Sequence, residues 1–117
     1  MSIYGKGLKG KATRLHAEVV RQRGSCEHCG VSTHLQCAHI VTRARNTTRC
    51  DPTNAFCLCA GCHLRFTHWP IEFADFVVSK IGRAAYDDLV TRSQQTVKAN
   101  DLFWQDWIDR LTPMKEA

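Results

Sequence analysis

Apolar residues in this chain follow two kinds of pattern, each predicting its own kind of element. Within Lys11–Arg23, Leu15, Val19 and Val20 share a face at helical spacing, and Gly24 offers the left-handed residue that stops a helix. On that helix Lys11, Arg14 and Arg21 fall on a different face, open to solvent or phosphate, and His16 is assigned to the surface. Leu35–Val41 is a short apolar run of strand length, and Asn54–Leu58 leads into the segment Cys59–Cys62. A short helix is predicted from Cys62 or His63 and must stop before Pro70. Phe73, Phe76, Val77 and Ile81 recur on one face of Ile71–Ile81, with Gly82 as the cap, and Arg83–Thr91 continues as helix. Asn100 or Asp101 can cap a last helix in which Trp104, Trp107, Ile108 and Leu111 recur before Pro113.

The polar stretches between these elements read as connections. Residues 1–10, with three glycines and two lysines, are expected to be mobile. Thr42–Pro52 is a loop carrying three arginines, and Ser93–Asn100 is the best linker candidate. His28 and His34 fall in exposed loops. The fold class expected is small α+β, and 117 residues suit one domain.

Charge sharpens this picture. Residues 1–65 carry ten basic and three acidic side chains, and the remainder six basic and eight acidic. A basic first half fits a polyanionic partner such as nucleic acid. No apolar stretch approaches the ~20 residues of a membrane helix. The polar start lacks the apolar run of a secretory signal, so a reducing cytoplasm is expected and disulfides are not.

Cysteine spacing points to chemistry. Cys26-Glu27-His28-Cys29 and Cys59-Ala60-Gly61-Cys62 are two CxxC knuckles, and a two-residue gap lets both sulfurs of a knuckle face one ion. Two of them suggest a structural Zn2+ on Cys26, Cys29, Cys59 and Cys62. Buried thiols or a redox pair are the competing readings, and a redox pair lacks a thioredoxin-like context. Cys37, Cys50 and Cys57 lie outside this spacing; Cys57 alternates with Cys59 and could compete as a ligand, although such residues are commonly small buried hydrophobes. Inside the zinc frame stand His39, Asn54 and His63. A histidine at the end of a strand can take a proton from water near neutral pH.

The run Cys26-x2-Cys29, Leu35-Gln36-Cys37-Ala38-His39-Ile40, Asp51-Pro52-Thr53-Asn54 and Leu58-Cys59-x2-Cys62-His63, followed by Pro70-Ile71-Glu72-Phe73, resembles the HNH endonuclease superfamily. The likeness is to small phage and mobile-element members, more weakly to NinG-type recombination proteins, and covers residues 26–90. It implies a zinc-stabilised, treble-clef-like ββα-metal core over residues 26–69. A basic arm and helix over 1–25 and C-terminal helices over 70–117 flank it. It implies DNA as partner and, for a phage protein, the cytoplasm of a bacterial host. His39 is then the general base, and Asn54 orients the His39 loop or helps hold the metal. His63 is a ligand of a catalytic Mg2+, Mn2+ or Ni2+.

Two departures from the family pattern bear on that ion. Ala38 stands where many members carry a metal-binding Asp or His. Cys37, on the same strand face as His39, is a soft ligand for such an ion. A second helical ligand commonly follows four residues after the first, where this chain has Thr67. His68 follows five after His63, about 140° round an unbroken helix, and reaches the ion only if the helix ends or widens before Pro70. Arg43, Arg45 and Arg49 would frame the cleft, with Lys11 and Arg14 as further DNA contacts, or one loop arginine would pair with Asp51. The aromatic residues read as core or as a dimer face. A catalytically decayed, zinc-stabilised DNA-binding module is the alternative function, and a protein-interaction zinc module a third.

Overall fold

In the computed structural model, which describes residues 4–115, the basic arm is not a loose tail. Helix α1 spans Gly7–Arg21 and starts a turn before the periodic apolar residues do. Its start is folded back on itself: a Cβ at Gly10 would lie 2.2 Å from the Gly5 carbonyl oxygen, and Gly5 has a φ of 96°. Glycine here allows close packing rather than motion. Met1–Ile3, the rest of the segment expected to be mobile, lie outside the described residues.

Ala12, Thr13, His16, Ala17, Val19 and Val20 form one continuous buried stripe of α1. His16 is 0 % exposed, so its assignment to the surface is corrected. It lies four residues from both Ala12 and Val20, and the 3.6-residue turn carries it into the interior with them.

Strands β1 (Leu35–His39) and β2 (Ala55–Cys59) form an antiparallel pair with Leu35 opposite Cys59 and His39 opposite Ala55. All of β2 is buried, because both faces of the sheet are covered. Ala55 and Cys57 pack with Val20 of α1. Ala38, Phe56 and Leu58 face the other way, into an aromatic core with Phe66, Phe73 and Phe76. Glu27 closes the free edge of β2: its backbone N–H donates to Cys57 O at 2.8 Å, and its carboxylate accepts from Cys57 N at 2.6 Å.

Helix α2 (Ala60–His68) leaves β2 without a loop, and α3 (Pro70–Ile81) follows with Pro70 in its first turn. Gly82, at φ 87°, turns the chain into α4 (Arg83–Ser93). After the linker, Asn100 Oδ1 accepts from Phe103 N at 3.1 Å and caps α5 (Asp101–Leu111). Trp104, Ile108 and Leu111 of α5 pack against Ala12, Val19 and Cys50, so the tryptophan-bearing helix is a buttress of α1 within one chain. No helix among the described residues is long and apolar enough to cross a membrane.

Candidate active site

The sulfurs of Cys26, Cys29, Cys59 and Cys62 lie within 4.8 Å of one another. Local structure makes the cage. Gly30, at φ 86°, closes the first knuckle with its N–H on Cys26 O at 2.9 Å. The second knuckle is the first turn of α2, where Cys59 is the cap and its Sγ accepts from Cys62 N at 3.4 Å. Cys29 N approaches Cys26 Sγ at 3.5 Å, and His28 Nδ1 lies 3.2 Å from Cys62 Sγ.

These donors fit thiolates. Burial would raise the Cys26 thiol, but the Cys29 N–H and its neighbours hold it at about 6. Burial and the three neighbouring sulfurs push Cys62 the other way. One negative charge is welcome in the cage and further ones require a cation. The Cys29–Cys59 Sγ separation of 3.6 Å is close to the ~3.8 Å edge of a tetrahedron with ~2.3 Å Zn–S bonds. The cage therefore fits a metal ion, with zinc the natural match for four thiolates. Cys57 and Cys50 are fully buried elsewhere and do not join it.

A cleft of about 570 Å³ opens beside β1, lined by Thr13 and Arg21 of α1, Gln36, Cys37 and His39 of β1, Arg43, and His63 of α2. Among the described residues its lining contains no carboxylate. His39 Nε2 donates to Arg49 O at 2.9 Å. A carbonyl can only accept, so Nε2 carries the proton and Nδ1 keeps the lone pair. Burial lowers the His39 pKa below its ordinary value, and nearby Arg49, Arg43 and His63 add to the effect, so the ring is neutral at pH 7. His63 Nδ1 lies 2.7 Å from Gln36 Oε1, which leaves Nε2 as its lone-pair nitrogen. Burial lowers its pKa too. Gln36 shares a strand face with Ala38, toward α2, and no motif or spacing in the sequence gives it a role.

Asn54 is 0 % exposed. Its Oδ1 accepts from Val41 N at 2.8 Å, and its Nδ2 donates to Val41 O at 3.1 Å and Thr48 O at 3.0 Å. Of the two roles open to it, the bonds match orientation of the loop after His39. Arg49 is likewise structural and not a rim contact. It is buried, with Nε on Thr13 Oγ1 at 2.8 Å and Nη1 on Arg43 O at 2.9 Å. Asp51 pairs with Arg92 of α4 at 2.7 Å rather than with a loop arginine.

His68 is exposed at the end of α2 and does not line the cleft. The helix runs unbroken from Ala60 to His68, so five residues of rotation turn it away from His63. Lys11 and Arg14 are exposed on α1 outside the cleft lining, and Arg14 is 3.8 Å from Glu18. Arg43 lines the cleft and Arg45 is exposed in the same loop. Arg21 lines it as well, its Nη1 on Tyr4 Oη at 3.3 Å.

Beneath His39 lies His16, ring centroids 5.0 Å apart. His16 Nε2 approaches Asp51 O at 3.0 Å, and Nδ1 lies 3.8 Å from Cys37 Sγ. Burial first, then the neighbouring His39, brings His16 down to about 4, while burial pushes the Cys37 thiol up to about 12. Comparison with protein-family models, with curated proteins and with solved structures finds no match for the chain.

Proposed function

We propose that the chain is an HNH-type endonuclease or nickase that hydrolyses DNA phosphodiester bonds, with His39 as general base. One observation carries the reading: the cleft holds a neutral imidazole whose lone pair is fixed by the Arg49 carbonyl, beside a second imidazole, His63, and two arginines. A water in the cleft gives its proton to His39 Nδ1 while its oxygen attacks phosphorus. The P–O bond to the departing strand breaks, and the departing oxygen takes a proton from solvent. Arg21 and Arg43 offer planar forks to phosphate oxygens. Asn54 and Arg49 hold the loop that supplies the His39 acceptor. A Zn2+ on the four cysteines would tie the 26–30 turn to the start of α2, and so fix His63 relative to β1.

The catalytic Mg2+, Mn2+ or Ni2+ of the resemblance fits less well. Ala38 is buried among phenylalanines, the Thr67 hydroxyl donates to His63 O at 2.8 Å, and His68 is outside the cleft. Of the positions the resemblance assigns to that ion, His63 Nε2 alone offers a donor in the cleft, and no carboxylate accompanies it among the described lining residues, so no step is routed through that ion. This shortage favours one second reading, a zinc-stabilised DNA-binding module without hydrolysis.

The test is nicking and linearisation of plasmid DNA with Mg2+, Mn2+ or Ni2+ supplied, native chain against His39→Ala. A general base contributes roughly 10²–10⁴-fold, and a loss of that size is expected. Equal cleavage by both proteins removes His39 from catalysis. DNA binding that weakens steeply with salt, without cleavage under any ion, leaves the binding module.

A further inference from the structure

A second group of metal-binding side chains lies where no sequence spacing announces one. His16 comes from the middle of α1, and Cys37 and His39 from one face of β1. One donor atom from each lies within 4.8 Å of the other two. We infer that His16, Cys37 and His39 form a metal site that takes one thiophilic divalent ion, Zn2+, with its fourth position open to the cleft.

The tautomers support it. Both imidazoles have Nε2 on a backbone carbonyl, His16 on Asp51 O at 3.0 Å and His39 on Arg49 O at 2.9 Å. Each Nε2 therefore carries the proton, and each Nδ1 presents a lone pair. Metal-bound histidines are held in this way, the second ring N–H fixed by a carbonyl. Two such acceptors meet one hydrogen, the Cys37 S–H, which reaches His16. His39 Nδ1 has no hydrogen-bond partner among the described residues.

The distances are close to those of a bound ion. Zn–S of ~2.3 Å and Zn–N of ~2.0 Å give a tetrahedral N···S edge of about 3.5 Å. The His16 Nδ1–Cys37 Sγ distance is 3.8 Å. The widest separation, at most 4.8 Å, closes by no more than about 1.5 Å to reach an N···N edge. Side-chain rotation of the half-buried Cys37 and His39 covers that, with His16 as the fixed point.

The donor set selects the ion. One thiolate and two imidazoles suit zinc and its neighbours and are poor partners for magnesium. Binding releases one proton, from Cys37, because both rings are already neutral. Cys37 and His39 line the cleft while His16 is sealed behind them, so the vacant coordination position faces the cavity. Three protein ligands and an open position distinguish this site from the closed cysteine cage. The site does not depend on the nuclease reading. If that reading holds, an ion here occupies the lone pair that His39 needs as a base.

The experiment uses the full chain with one zinc already bound, titrated with Co2+ and followed by metal analysis and absorption. One further Co2+ is expected, with a sulfur-to-cobalt charge-transfer band in the near ultraviolet from a single thiolate. Cys37→Ser should abolish that band and weaken the second ion at least about 10-fold while the first metal stays bound. No second equivalent at 100 µM-scale Co2+ (roughly the weakest affinity worth calling a site) overturns the site. So does a four-thiolate spectrum alone, unchanged by Cys37→Ser, which reports the Cys26 cage. If Cys37→Ser does not fold, the band in the native chain still decides. Its absence with a second ion bound excludes the thiolate and overturns the assignment. No readout involves DNA cleavage, so failure here is separate from failure of the nuclease reading.

Discussion

Replacing Asn54 separates two roles that its position in the sequence leaves open. Its amide makes three hydrogen bonds to the backbone of the loop that follows β1. Asn54→Ala leaves Val41 N–H, Val41 O and Thr48 O without partners. Val41 is half-buried, so water can reach its groups and each loss costs about 1 kcal/mol. Thr48 is 0 % exposed, and its carbonyl loses closer to 2 kcal/mol. The sum is about 3–4 kcal/mol, or roughly 10–20 °C in Tm for a domain of this size.

Asn54→Asp is the sharper test. A carboxylate keeps an acceptor for Val41 N–H but turns an oxygen toward two carbonyl oxygens, where the amide donated. It should destabilise about as much as alanine and loosen the loop whose Arg49 carbonyl fixes His39. A metal-binding Asn54 predicts the opposite, since a carboxylate is the better ligand for a hard ion. Thermal unfolding by circular dichroism in excess zinc, beside plasmid cleavage, reads both. An Asn54→Ala shift under about 3 °C, or an Asn54→Asp chain as stable and active as native, would refute the positioning role.

Three further outcomes follow from the same geometry. Thr48 Oγ1 is buried without a partner among the described residues, so Thr48→Val should raise stability by about 1 kcal/mol in urea unfolding; destabilisation would mean the hydroxyl is bonded. Cys59→Ser should lower bound zinc by one per chain and collapse amide dispersion in the proton spectrum, as should a strong chelator on native protein. Structural zinc contributes on the order of 10 kcal/mol, comparable to a domain's whole stability. If His39 is the base, cleavage needs its neutral form, and the rate falls as pH drops through its folded pKa. Burial sets that value below the ordinary one, so the acid limb of the pH–rate profile should lie under about pH 6.5; a limb above it would assign the titration elsewhere.

Local order was legible in the sequence, and long-range partners were not. The cysteine spacing, the apolar run of β1 and the helical recurrence around Phe73 and Trp104 each express a short period that the backbone must honour. His16 shows the limit. Its place on the stripe of Ala12 and Val20 was readable, but a histidine is tolerated inside only if its ring N–H finds an acceptor. That acceptor is the carbonyl of Asp51, thirty-five residues on. Arg49 followed the same logic in reverse. An arginine in a polar loop reads as a phosphate contact until Thr13 and the Arg43 carbonyl take its donors. No spacing marks Gln36; the register of β1 on β2 sets it beside the first turn of α2, where, although exposed, it orients His63. In each case a polar side chain was placed by a backbone or side-chain partner from another element. The chemistry of this cleft is therefore assembled by α1 and the 40–51 loop as much as by the zinc frame. Changes in α1, remote in sequence from His39 and His63, should act on the cleft directly: His16 touches the His39 ring, and Thr13 holds the arginine whose carbonyl sets its tautomer.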